Sequence, residues 1–406
     1  MHFAVTESLD FSKANEYRGL ARCAAAVAFA LPSEAVEKGR RARVRLIGGL
    51  TGCVTLVALY AMSVPPAYGQ SATPTFERID AHAHAYSPSP LLFSMLRRLN
   101  IRIIDIAVVD KHESLDPRKA QVFKDEEVQN RLALLVFRKS NGRAPWISTF
   151  DPETWESPGF SDRVIELLAR TFADGAVGVK IYKSIGMELK SRKTGKYLMP
   201  DDQVFDPILE YIAERGKTLY AHIAEPDYEW VPWDPNSLAF KEDDQFWNIY
   251  GHTDRPAKAV ILAARDHMLE KHPKLRVVGC HLGSMENDVD DIAARFDRYR
   301  NFAVDTSGRI EDLARQPRER VRAFLIKYQD RILYGIDEDL YSWDDAQVKL
   351  KRWEDAYAND WKYFSTGDTV VIGRHTAQGL ALPEPVLRKI FHDNAMKWVP
   401  DITRAR

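Results

Sequence analysis

From residue 76 onward the chain alternates short apolar runs with segments whose apolar residues recur at helical spacing. The runs lie at 76–83, 101–109, 146–150, 176–182, 218–223, 276–281, 301–305 and 332–336. They are rich in β-branched and aromatic residues and bounded by polar, Gly or Pro positions, which predicts buried strands. Between them, Val164, Leu167, Leu168 and Phe172 fall on one helical stripe, as do Phe205, Ile208, Leu209 and Ile212. Val289, Ile292, Ala293 and Phe296 repeat the pattern, and so do Val321, Phe324, Leu325 and Tyr328. Asp201 and Asp202 precede the second stripe as caps, and Gly216 follows it as a stop. Strands alternating with helices in this way predict an α/β fold, a (β/α)8 TIM barrel, whose sites are built at the C-terminal ends of the strands. A doubly wound open sheet is the alternative. No Gly-x-Gly-x-x-Gly follows an early strand, so a dinucleotide site is not expected.

Polar residues terminate these runs in a telling way. The first run ends Asp80-Ala81-His82-Ala83-His84. Alternate side chains on a strand share a face, so His82 and His84 point together, and two imidazoles beside an open position suit a catalytic metal. Later runs end in Lys180, His222, His281 and Asp337. With His222 facing inward, Leu219, Ala221 and Ile223 face the helices. The same alternation sets His281 against Val278, Cys280 and Leu282, and Lys180 against Val177, Val179 and Ile181. A polar group turned into the helix layer would cost kilocalories, so the barrel mouth is the expected destination. Any one such ending reads equally as a satisfied core histidine or a strand cap. The ordered set reads as a site.

That set resembles the amidohydrolase superfamily, in particular the amidohydrolase-related group that also contains zinc-dependent decarboxylases. The matching segments are Ile79 to His84, Ala221-His222, Gly279 to Gly283, Tyr334 to Asp337, and the closing stretch Leu382 to Ala395, similar to the family's final helix. The resemblance spans roughly 76–400 and implies a metal-bearing barrel. His82, His84 and His222 resemble the family's metal-binding histidines. Asp337 resembles its eighth-strand aspartate, which touches the metal and its water and serves as the base. His281 is placed to polarise a scissile carbonyl, to relay a proton, or to bind a second metal. Lys180 is placed for a bridging carbamate, for a substrate carboxylate, or for a buried ion pair with Glu225 or Asp337. The metal implied is zinc, one ion being favoured over two.

Composition then limits the choices. Net charge is −1 and no basic stripe appears, so nucleic acid is not an expected partner. Residues 1–39 form an extension, or follow a mis-assigned start, and 40–70 read as a secretory leader: a basic cluster at 40–45, an apolar run at 46–64, and small residues near Gly69. A periplasmic protein is expected on that reading; a membrane anchor over 46–64 is the alternative. The barrel domain is expected over 75–401. Cleavage would leave Cys280 as the single cysteine of three, precluding an internal disulfide. Strand parity directs Cys280 away from the site, and no Gly-x-Ser-x-Gly elbow accompanies Ser284.

Two long segments frame the expected substrate. One, 184–200, carries Lys190, Arg192, Lys193 and Lys196; the other, 225–252, carries Tyr228, Trp230, Trp233, Phe240, Phe246, Trp247 and Tyr250. Lys180, Glu225 and Arg309 are the candidate substrate-binding residues, Arg309 through bidentate pairing with a carboxylate. The expected function is a metal-dependent hydrolase of an ester, lactone or amide bond, using a metal-activated water, with Asp337 and His281 catalytic. The alternative is a zinc-dependent decarboxylase of an aromatic or unsaturated acid. A non-catalytic binding barrel is the third class, against which the retained ligand types argue. The partner is a small molecule, and homo-oligomerisation is left open.

Overall fold

The computed structural model describes residues 74–110, 116–234 and 249–403. The extension at 1–39, the leader or anchor at 40–70, Cys23, Cys53, Phe240, Phe246 and Trp247 lie outside the described residues. Among the described residues, no helix is long and apolar enough to cross a membrane.

The eight predicted runs become β1 (Arg78–Ala85), β2 (Ile101–Ile106), β3 (Trp146–Thr149), β4 (Gly178–Ile181), β5 (Thr218–Ala221), β6 (Arg276–Gly279), β7 (Phe302–Asp305) and β8 (Ile332–Leu333), and a further short strand, β9 (Asp339–Leu340), follows the last of them. Each pairs in parallel with the next from β1 to β8. The order of strands begins on β8 and ends on β9, beyond β1. These two pieces are consecutive in the chain, so one passage pairs β7 with its first half and β1 with its second. Between them, Ala81 N–H donates to the Tyr334 carbonyl at 2.7 Å and Asp337 N–H to the His82 carbonyl at 2.9 Å. The sheet therefore closes into a barrel. Gly335 lets the seam close tightly, because a Cβ there would stand 3.1 Å from His82 Cβ and would push the neighbouring strand away.

One main helix follows each strand: α1 (Pro90–Arg98), α2 (Glu126–Lys139), α3 (Phe160–Ala173), α4 (Asp206–Glu214), α5 (Lys258–Lys271), α6 (Val289–Arg298), α7 (Arg318–Lys327) and α8 (Ala346–Ser365). The four predicted stripes are the buried faces of α3, α4, α6 and α7. The stripes do not include α8, whose Trp353, Tyr357, Trp361 and Phe364 are buried. The expected caps of α4 are corrected. Asp202 precedes a short 3-10 turn without a side-chain bond, and Asp201 instead accepts from His267 Nδ1 at 2.7 Å. Gly216 has φ +64, as a helix stop requires.

Two apolar layers result. Val179, Ile181, Leu219, Ala221 and Ile223 pack against the helices, as alternation predicts, and Val277 and Val304 join them there. Ile79, Ala81, Ile104, Tyr220, Ala303 and Leu333 belong to the inner layer, joined at its base by Trp398, Val399 and Ile402. Val177, Val278 and Cys280, expected to face the helices, belong to this inner set instead. For β6 the reason is plain: Val278 and Cys280 share a face, and it is the inward one.

β1 carries its own irregularity. Its pairing moves from Asp80 against Ile103 to Ala83 against Asp105, three residues against two. This bulge reverses the alternation. Before it, Arg78 and Asp80 face out toward α8, where Tyr357 Oη donates to Asp80 Oδ2 at 2.7 Å. After it, His82 and His84 face in, while Ala83 and Ala85 pack with the helices.

Candidate metal centre and active site

His82 is fully buried and anchored by its ring Nδ1, 2.9 Å from Asp305 Oδ2. His84 is anchored in the same manner, its Nδ1 2.8 Å from the Ile106 carbonyl. A carboxylate and a carbonyl are acceptors, so both rings carry a proton on Nδ1, and in the neutral form each leaves Nε2 bare toward the mouth. Those Nε2 atoms stand 3.4 Å and 3.3 Å from Asp337 Oδ1. Asp337 has φ +63, a left-handed bend at the end of the strand-eight passage that turns its carboxylate to the mouth. Burial alone would raise its pKa. His281, His82 and His84 outweigh that and hold the carboxyl well below the usual range.

His281 reaches the same point by a different route from the one alternation predicts. β6 ends at Gly279, and His281, Leu282 and Ser284 all have φ near +60. This left-handed turn, not strand parity, aims the ring. His281 N–H donates to Asp305 Oδ1 at 2.8 Å, and its Nδ1 lies 2.9 Å from the Ser307 carbonyl and 3.6 Å from Asp337 Oδ2. With acceptors around Nδ1, neutral His281 leaves Nε2 free of a proton, which suits accepting a proton or ligating an ion. Burial pushes its pKa down to about 3, so the ring is neutral at ordinary pH.

Lys180 points inward, as predicted, but its partner differs from those weighed. Its Nζ lies 3.1 Å from Cys280 Sγ, and the cation that pairs with Glu225 is Lys183. Cys280, expected to face away from the site, therefore lies within it; burial raises its thiol, which is a neutral core group and no nucleophile. His222 faces inward on β5 with its ring 4.4 Å from that of His281. Its Nε2 is buried without a hydrogen-bond partner, 4.0 Å from Glu225 Oε2. Burial, then His281, Lys180, Lys183 and Arg309, lower its pKa well below the ordinary value, so it too is neutral. Arg309 precedes a helix after β7, with Nε 3.9 Å from Asp312 Oδ2.

These donors fit a divalent ion of the zinc type. Two ligands about 2.1 Å from one tetrahedral ion stand about 3.4 Å apart. That is the separation of Asp337 Oδ1 from both His82 Nε2 and His84 Nε2. The buried Nε2 of His82 also lacks any hydrogen-bond partner. His82, His281 and Asp337 form a group whose donor atoms lie within 4.8 Å of one another, and His82, Cys280 and Asp305 form a second. His84 and His222 join neither group. Sequence reasoning missed Asp305, Ser307 and Lys183. The first had a signal: it ends the run Phe302-Ala303-Val304-Asp305 as the other site residues end theirs.

A closed (β/α)8 barrel with histidines and a carboxylate gathered at the C-terminal ends of its strands defines a metal-site barrel. The amidohydrolase family profile matches residues 79–400, and the chain belongs to that family, a family of enzymes. No curated protein matches the chain. Among solved structures, it is similar to 2,6-dihydroxybenzoate decarboxylase from Rhizobium, at 16% identity and a TM-score of 0.47 over 80% of this chain and 98% of the other. It is also similar to 5-carboxyvanillate decarboxylase from Novosphingobium aromaticivorans, solved with manganese, at 18% identity and a TM-score of 0.42 over 80% and 96%. A third is 4-oxalomesaconate hydratase from Rhodopseudomonas palustris, at 12% identity and a TM-score of 0.41 over 80% and 95%.

Proposed function

We propose that this enzyme is a metal-dependent hydrolase of an ester, lactone or amide bond, with His82, His84, His222 and Asp337 holding one zinc ion. The observation that carries the reading is the approach of two imidazole Nε2 atoms to one carboxylate oxygen, at 3.4 and 3.3 Å. A bound zinc ion supplies a water of pKa about 7 and a Lewis acid for the carbonyl. The chain's own residues do the rest. Asp337, ionised throughout the ordinary pH range, accepts the proton of the attacking water. His281, neutral with Nε2 free, takes up a proton and passes it to the leaving group. Glu225, Lys183 and Arg309 orient the substrate from the opposite wall.

One observation favours a second reading, decarboxylation of an aromatic or unsaturated acid. Lys180, Lys183 and Arg309 all bear on His222, and this positive wall suits a substrate carboxylate. Metal analysis of the purified protein, followed by a screen of lactones, esters, amides and aromatic acids with carbon dioxide detection, decides. Hydrolysis without carbon dioxide supports the first reading. Carbon dioxide release from an acid replaces it with the second, and a metal-free active enzyme sinks both. An exported, periplasmic enzyme remains our reading of residues 40–70, tested by the mass of the mature chain.

A further inference from the structure

We infer that Asp305 is a positioning residue for this site: one carboxylate fixes the ring of His82 for metal binding and aims His281 beside it. The inference rests on the metal reading above. Asp305 ends β7 with no exposed surface. Its Oδ2 lies 2.9 Å from His82 Nδ1. Its Oδ1 accepts from His281 N–H at 2.8 Å, from Ser307 N–H at 3.3 Å, and from the Ser307 hydroxyl. Every contact is with a donor, and each oxygen serves a different strand. β1 and the β6 turn are thus tied to β7 through one side chain.

Two consequences follow from donor and acceptor chemistry. An acceptor at Nδ1 forces the proton onto that nitrogen and leaves His82 Nε2 bare, 3.4 Å from Asp337 Oδ1. The second oxygen pins the backbone of a residue at φ +58, a conformation that a histidine rarely holds without support. Asparagine has the same shape but only one acceptor oxygen. Its NH2 must face either His82 Nδ1 or the His281 N–H. In the first case the ring proton moves to Nε2 and blocks the ligand position. In the second, two donors oppose and the left-handed turn is displaced.

The test uses the full chain, Asp305→Asn and Asp305→Ala, with three readouts: thermal melts, zinc affinity by competition with a chromophoric chelator, and ring tautomers by proton–nitrogen NMR of the metal-free protein. We expect wild-type His82 with Nε2 unprotonated, and zinc affinity about 10- to 100-fold weaker in both folded variants. The Asn variant should also show a changed tautomer at His82 or a shifted His281. A variant that loses zinc with both ring signatures unchanged overturns the positioning role, because general loosening would produce that result. Equal zinc affinity in wild type and variants overturns it as well. Wild-type protein that binds no zinc overturns the metal reading itself, and this inference with it. If neither variant folds, the wild-type spectrum decides: a protonated His82 Nε2 overturns the inference, and a bare one upholds it.

Discussion

The two walls of the barrel mouth are built on opposite principles. On the β1 and β8 side, the imidazoles of His82 and His84 are anchored by acceptors at Nδ1, and their free nitrogens meet a carboxylate. That wall offers lone pairs and negative charge. On the β4 and β5 side stand Lys180 and Lys183, with Glu225 held by Lys183 and His222 Nε2 buried without a hydrogen-bond partner, and the charge of Arg309, which follows β7, also reaches His222. That wall offers positive charge. A cation belongs to the first and an anionic or carbonyl-bearing substrate to the second. Burial holds His82, His222 and His281 in the neutral form, whereas at His84 burial is outweighed by the hydrogen bond to Asp337 and by its charge, which raise the pKa. Holding a metal and holding a substrate are therefore separable functions of one mouth, and substitutions should divide them.

The sharpest division is expected from Asp337→Asn. It keeps an oxygen for the metal but cannot accept the water's proton, so turnover should fall by about 10²–10⁴-fold with most zinc retained. Full activity at unchanged zinc content would assign the base elsewhere. On the other wall, Arg309→Ala should weaken substrate binding and leave zinc content unchanged. A charged hydrogen bond lost there is worth about 1.5–3 kcal/mol, or roughly a 10- to 150-fold rise in KM. A variant that loses zinc, or changes kcat alone, would dissolve the distinction between the walls.

Lys180→Ala tests whether the walls share a second ion. Lys180 Nζ lies 3.1 Å from Cys280 Sγ, so one zinc per chain is expected before and after the substitution. Two zinc ions in the wild type, with one lost in the variant, would support a carbamate bridge across the mouth. The smallest effect lies behind both walls. Burial raises Asp360 to about 7, where it accepts from Tyr334 Oη at 2.9 Å. Its folded pKa thus exceeds the unfolded value near 4. The stability it lends is complete below about pH 4 and is lost as pH rises through 7. Asp360→Asn should therefore lose less melting temperature than wild type between pH 4 and 7, at unchanged zinc content. Parallel melting curves across that range would remove Asp360 from the pH response.

Local pattern carried most of the fold. Alternation marked the outward faces of β4 and β5, and helical spacing marked α3, α4, α6 and α7, because both periods depend only on near neighbours in the chain. It also marked His222 and Lys180 as inward, since β4 and β5 run without irregularity. The helix that helical spacing left unmarked was α8: its buried face is mainly aromatic and packs on Arg78 and Asp80, residues that a plain β1 would have turned inward.

What the sequence by itself determined was the strand-and-helix order, the residue types at the strand ends, and the family they resemble. What tertiary structure decided was where irregular backbone sends those residues. The β1 bulge reverses the facing of one motif within three residues. The left-handed turn after β6 brings His281 inward although Cys280 already occupies the inward face. Asp305 became visible as the group joining them only when β1, β6 and β7 were side by side. Likewise Lys183 took Glu225, one of the partners that the sequence left open to Lys180. Periodicity cannot report such choices, because a bulge or a left-handed residue is stabilised by hydrogen bonds to partners far away in the chain. His82 and Asp305 are 223 residues apart, and one 2.9 Å contact between them settles which nitrogen faces the metal position.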